Sequence, residues 1–102
     1  MVKNCPIDSV TVDVDLTYPW IGDLTLDLVS PAGSIVRLHN RTGGSADDIV
    51  GTYDTTLAVD GPGTLSKFSG EASAGAWTLR VFDRYAGDTG TLNCWGPTIV
   101  CR

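Results

Sequence analysis

Two stretches hold the carboxylates best placed to act together: Asp47-Asp48 with Asp54, and Asp83 with Asp88. Calcium takes six to eight hard oxygen ligands and collects them from loops that offer carboxylates and free carbonyls. Both stretches are candidate calcium sites. The first ranks ahead because three carboxylates fall within eight residues. No Asp-x-Asp-x-Asp-Gly run occurs, so an EF-hand is excluded. The competing reading is local: solvated charge at Asp47 and Asp48, and turn carboxylates at Asp83 and Asp88 accepting nearby N–H groups.

Hydrolytic chemistry has less to build on. His39 is the one histidine, at the end of an apolar run and with outward parity. Gly70-Glu71-Ala72-Ser73-Ala74-Gly75 lacks the spacing of a Gly-x-Ser-x-Gly elbow and reads better as a small, flexible loop. A Ser–His–Asp set can assemble from any chain order, but no motif supports one here. Paired carboxylates for glycoside cleavage are weakly supported, because most of the acids fall on strand faces or in turns. Catalysis is not expected. Tyr18, Trp20 and Tyr85 lie in loops, where aromatic faces can stack on a sugar or a peptide. The alternative is that they roof the ends of the fold. Trp77 and Trp95 follow the parity of buried positions and are expected in the core. Asn40-Arg41-Thr42 matches the glycosylation pattern, which is common by chance.

Cys5 lies near one end of the chain, Cys94 and Cys101 near the other. Three thiols without C-x-x-C spacing and a single histidine do not make a zinc site. Chain ends of one domain often lie close together, so Cys5 with Cys101 is the expected pairing. Cys5 with Cys94 is the alternative, and three reduced thiols the remaining possibility. The thiol left over is expected to be a small buried residue beside Trp95.

These groups must be positioned by strands. Around the turn signal Gly22-Asp23, Leu24, Leu26 and Leu28 alternate with Thr25 and Asp27, the period of a half-buried strand. Ser30-Pro31-Ala32-Gly33 ends it, since Pro31 cannot donate to a ladder and Gly33 supplies a positive φ. Ile35, Val36 and Leu38 restart the pattern, making a hairpin over roughly 24–30 and 34–39. Upstream, Val10, Val12, Val14 and Leu16 share one parity and Thr11, Asp13, Asp15 and Thr17 the other, so one strand face is wet and the sheet antiparallel. From 40 to 58 periodicity fails and a loop with apolar anchors at Ile49, Val50, Tyr53 and Leu57 is expected. Leu65 and Phe68 predict a short strand, Trp77 to Phe82 another, and Thr91 to Val100 the last. Leu92 and Ile99 have opposite parity, so a bulge near Gly96-Pro97 is needed if both face the core. About six strands among 12 glycines and 5 prolines predict an all-β, antiparallel β-sandwich.

Composition sets the outer limits. With 102 residues, 19% of them charged and 42% apolar, the chain is an ordinary folded domain with one core. A net charge of −5 argues against nucleic acid and anionic membranes as partners and favours cations. No apolar run approaches the roughly 20 residues of a membrane span. The N-terminus has no signal-peptide core, which an excised piece of a longer secreted chain would also lack.

Three blocks in register carry a resemblance. Gly22-Asp23-Leu24-x-Leu26-x-Leu28-x-Ser30-Pro31-x-Gly33 comes first. Gly70 then precedes Gly75-x-Trp77-x-Leu79-x-Val81-x-Asp83, and Gly87-Asp88-x-Gly90-x-Leu92-x-x-Trp95 follows. Together they resemble the P domain (P/Homo B domain) that follows the catalytic domain of kexin- and furin-like proprotein convertases and trails bacterial secreted proteases. The resemblance covers Val10 to Ile99. It implies a jelly-roll sandwich of the galactose-binding-like kind and a non-catalytic role. That role is to stabilise or regulate an adjacent secreted protease, subtilisin-like or metallo-type, or to help engage substrate. The partner implied is the catalytic domain of the same parent chain. A free-standing carbohydrate- or protein-binding module is the alternative. Family members carry one more strand ahead of the position of Ile7, so an edge is expected to be exposed here. The position of Tyr18 is often His in the family, Cys94 stands where a small polar residue is common, and Pro97 weakens the last strand.

Overall fold

Alternation decides the two central strands. The computed structural model describes residues 4–84 and 90–102. In it β1 (Ile7–Thr17) and β2 (Leu24–Val29) each lie in the middle of a three-stranded antiparallel sheet. The first sheet runs β4-β1-β6, with β4 at Ile49–Tyr53 and β6 at Thr91–Cys101. The second runs β3-β2-β5, with β3 at Ile35–Asn40 and β5 at Thr78–Asp83. Val10, Val12, Val14 and Leu16 of one sheet and Leu24, Leu26, Leu28, Val36 and Leu38 of the other are buried in one hydrophobic cluster. The fold is the all-β sandwich that the period-two pattern predicts.

Three bulges correct the simple parity reading. Leu26 pairs with His39 but Asp27 with Arg37, so Leu38 is the extra residue. Both Leu38 and His39 therefore turn inward, and His39 is buried rather than outward-facing. Opposite β1, Asp15 pairs with Cys94 and Leu16 with Leu92. The extra residue is Asn93, not one near Gly96-Pro97, and its amide bonds Asp15 Oδ1 at 3.1 Å and Thr17 Oγ1 at 2.9 Å. That bulge sets Leu92, Trp95, Pro97 and Ile99 opposite the inward residues of β1, and it leaves Cys94 opposite Asp15 on the outer face. Cys94 is accordingly an exposed free thiol, not a buried one. The third bulge, at Asp8, lets Ile7 and Val10 share the interior. Pro97 sits on β6, an edge strand, where the ladder tolerates it best.

Two elements differ from the expectation. The stretch read as a loop contains β4, whose inward residues Ile49 and Tyr53 are separated by Gly51. One apolar pair four residues apart is too sparse to register as alternation. Leu65 and Phe68 lie on a 3-10 turn, Leu65–Phe68, not on a strand. Residues three apart eclipse in that geometry, and both are buried.

Candidate interaction surface

Polar bonds close both ends of the sandwich. At the hairpin end, Gly33 has φ +91° and its N–H reaches Ser30 O at 2.9 Å. Glu71 holds that turn by accepting from Ser30 Oγ and Ser34 Oγ, each at 2.7 Å. Gly75 packs against Pro31, where an added Cβ would come within 2.7 Å of the proline ring. The 70–75 stretch, expected to be flexible, is strapped to the N-terminal residues: Ile7 N donates to Glu71 O, Gly70 N to Ile7 O and Ser73 N to Cys5 O. Cys5 is joined to Cys101, with Cα atoms 5.7 Å apart. Trp77 meets Phe68 edge-on at 5.3 Å and donates its indole N–H to Ser73 O. Trp77 and Trp95 pack on the core from its rim, half-buried rather than inside it.

At the other end, residues 43–48 fold onto 18–22. Tyr18 N donates to Asp48 Oδ1 at 2.9 Å, and Asp48 N to Tyr18 O at 2.8 Å. Ile21 N reaches Ala46 O and Gly22 N reaches Gly44 O. A Cβ on Gly22 would meet the Gly44 carbonyl at 2.7 Å, which is why this contact needs glycine. His39 Nε2 donates to Ile21 O at 2.8 Å, with Nδ1 3.6 Å from Asp60. Its ring ties a turn to a loop, and it meets no hydroxyl among the described residues. The Asp23 carboxylate makes no hydrogen bond among the described residues, and its carbonyl accepts from Arg84 N.

Among the described residues, the carboxylates singled out for calcium do not converge. Asp48 caps Tyr18, Asp83 accepts from Tyr18 Oη at 2.7 Å, and Asp54 turns the chain at φ +71°. Among the described residues, no three His, Cys, Asp or Glu side chains gather as a metal site. Asp88 and Tyr85 lie outside the described residues. Among the described residues, the carboxylates therefore form no calcium cradle. Of the two loop aromatics among the described residues, Tyr18 is buried and Trp20 is 48% exposed.

What the sandwich does offer is a seam. Where β5 and β6 flank the two sheets, a cleft of about 400 Å³ opens, lined by Leu16, Tyr18, Leu24, Val81, Asp83 and Leu92 with Gly90. Leu16 and Leu24 form its floor; Val81 and Leu92, 38% and 37% exposed, form its lips. The Tyr18–Asp83 bond lies within this lining. Gly90 must lack a side chain, because a Cβ there would overlap the Thr17 carbonyl and the Tyr18 ring. Among the described residues, the exposed large hydrophobics include Val81, Phe82, Leu92 and Val100 on β5 and β6.

A charged row on the outer face of the second sheet was missed by sequence reasoning. Asp27 pairs across β2 with Arg37 and Arg80. Arg37 grips it through Nε at 2.8 Å and Nη2 at 3.2 Å, and Arg80 Nη2 lies at 3.4 Å. The signal was present: Asp27, Arg37 and Arg80 all hold outward parity on strands that can neighbour. The Arg37 hydrogen bond holds the Asp27 carboxyl below the usual range; burial opposes this, and the charges of Arg37, Arg80 and Arg84 assist it. A depressed folded value means that folding favours the ionised form. Its stabilisation is present above the unfolded value of about 4 and is lost as pH falls through the folded one. Asp27→Asn is therefore expected to flatten the acid limb of a urea-midpoint curve measured from pH 6 down to 2. An unchanged limb would refute this.

These features define a class: a small antiparallel β-sandwich with an apolar cleft along one edge. The chain belongs to the proprotein convertase P-domain family, whose model matches residues 7–99. P domains are non-catalytic accessory modules. The chain is 43% identical over 95 residues to leupeptin-inactivating enzyme 1 of Streptomyces exfoliatus, covering 93% of this chain and 19% of that protein. It is 46% identical over 90 residues to a calcium-dependent protease of Trichormus variabilis, covering 85% and 13%. A transglutaminase-activating metalloprotease of Streptomyces mobaraensis is 40% identical over 91 residues, covering 88% and 10%. The chain thus spans no more than a fifth of the length of these relatives. No solved structure gives a significant match.

Proposed function

We propose that this module stabilises or regulates the catalytic domain of a secreted endopeptidase, of subtilisin-like or metalloprotease type, by docking through the β5–β6 seam. The observation that carries the reading is the seam itself: an apolar cleft in which the exposed Val81 and Leu92 flank the buried Leu16 and Leu24. Relatives named as proteases, of which the matched region is a small part, support it. The Cys5–Cys101 disulfide fits an oxidising, extracellular location. A catalytic domain whose folded state alone is bound is stabilised by mass action, about 2.7 kcal/mol at a hundredfold excess over Kd. Inter-domain surfaces of this sort are modest in area and partly polar.

The test is made in the parent protease. Leu92→Glu puts a charge on one lip and leaves the floor residues Leu16 and Leu24 unsubstituted. Its expected effect is a several-fold shorter half-life of proteolytic activity at elevated temperature, while the isolated module melts as before. Equal half-lives for variant and parent protein would remove the reading.

A further inference from the structure

Four of the seven Lys and Arg residues of this acidic chain collect on one side of one sheet. Arg37, Arg80 and Lys67 line a basin of about 420 Å³ together with Asp27, Ile35, Pro62 and Gly63. Arg84 lies along the same face, where its Nε bonds Thr25 Oγ1 at 3.0 Å. The carboxylate in the basin, Asp27, has a side chain 4% exposed and already engaged by two guanidinium groups. Arg80 keeps a side chain 41% exposed, and its buried Nε has no hydrogen-bond partner among the described residues. The basin therefore holds more positive charge than its own acid can neutralise, on a molecule whose net charge is −5.

Apolar surface is interleaved with this charge. Phe82 lies between Arg80 and Arg84, whose guanidinium carbons sit 5.7 Å and 4.8 Å from its ring centre. It is 38% exposed, and Ile35 at the basin's edge is 41% exposed. Arg80 and Phe82 are two residues apart on β5, a same-side spacing of about 7 Å in an extended chain, and Arg84 follows at the bend just past the strand. An extended peptide repeats its own same-side groups at that distance. A polyanionic glycan or free phosphate would use the cations but gain little from Phe82 and Ile35.

We propose that the outer face of the β3-β2-β5 sheet binds an acidic, extended polypeptide segment of a partner. Its carboxylates lie on Arg80, Arg84 and Lys67, and its apolar side chains lie on Phe82 and Ile35. This face is separate from the β5–β6 seam, so the proposal stands whether or not the seam docks a protease.

The probe is a fluorescein-labelled peptide of three Glu-Ser-Leu-Ser repeats, whose same-side residues alternate acidic and apolar, titrated with the full chain at 50 mM NaCl by anisotropy. Saturable binding is expected, weakening as salt rises to 200 mM because exposed charges are screened. Lys67→Glu, which leaves the Asp27–Arg37 pair untouched, should weaken binding at least tenfold. Arg41→Glu, on a cation elsewhere, should not. In the unsubstituted chain, peptide-induced amide shifts should cluster at residues 35–37 and 80–84, a readout independent of any variant's folding. Absent saturation, shifts clustered elsewhere, or equal loss from Arg41→Glu would overturn the proposal. So would a heparin hexasaccharide or inorganic phosphate that binds this face more tightly than the peptide.

Discussion

Replacing Cys101 by Ser is expected to lower the thermal midpoint of this module by roughly 10–30 °C. The bond closes a loop across a sequence separation of 96 residues, nearly the whole chain. In the chain-entropy account a loop of that order contributes about 4–5 kcal/mol, and removing native disulfides from small domains costs about 2–5 kcal/mol. Each kcal/mol moves the midpoint of a domain of this size by about 4–8 °C. Scanning calorimetry of the variant, and of the parent protein with reductant, measures the effect. Cys94→Ser supplies the control: its thiol is exposed and unpaired, so the midpoint should move by no more than about 2 °C. A Cys101→Ser protein that melts with the parent would show that the bond adds nothing beyond the hydrogen bonds already strapping 70–75 to the N-terminal residues.

Phe68→Ala is the second large effect. Phe68 is fully buried and meets the Trp77 ring at 5.3 Å with planes 77° apart. Truncating such a residue removes its transfer free energy and leaves a cavity, for a total of about 3–5 kcal/mol. The 3-10 turn that carries Phe68 sits beside β1, so collapse around the void would have to move a central strand. Denaturant melts should show the midpoint falling while the slope stays constant. Val100→Ala, on a residue half exposed on the outer face of β6, should change stability by less than about 0.5 kcal/mol. Near-equal losses from the two substitutions would mean that the division between interior and surface described above is wrong.

The contrast between what could and could not be read from the chain is physical. Val10 to Leu16 and Leu24 to Leu28 declare their strands because an unbroken alternation has only one way to bury its apolar half. The bulges at Leu38 and Asn93 are invisible to that pattern, since one extra residue reverses parity without changing composition. The need for a break between Leu92 and Ile99 was legible; its place at Asn93 was not, because the amide that stabilises it reaches two residues on another strand. β4 hid behind Gly51. The acids illustrate the same limit: proximity in sequence put Asp47, Asp48 and Asp54 together, whereas the fold gave Asp48 to a backbone amide and turned Asp54 into a tight corner. Asp27, read only as the polar half of an alternation, became a carboxylate paired with two guanidinium groups once Arg37 and Arg80 arrived on either side.

Because Cys5 and Cys101 are covalently joined with their Cα atoms 5.7 Å apart, the clasp also sets how the module responds to tension. A pull applied to flanking polypeptide on both sides passes through the sulfur–sulfur link and leaves the sheets between them unloaded. Under oxidising conditions the module adds almost no length to a stretched chain and stays folded. After reduction the same pull would peel β1 from β6, so its mechanical compliance is set by the redox state of its surroundings.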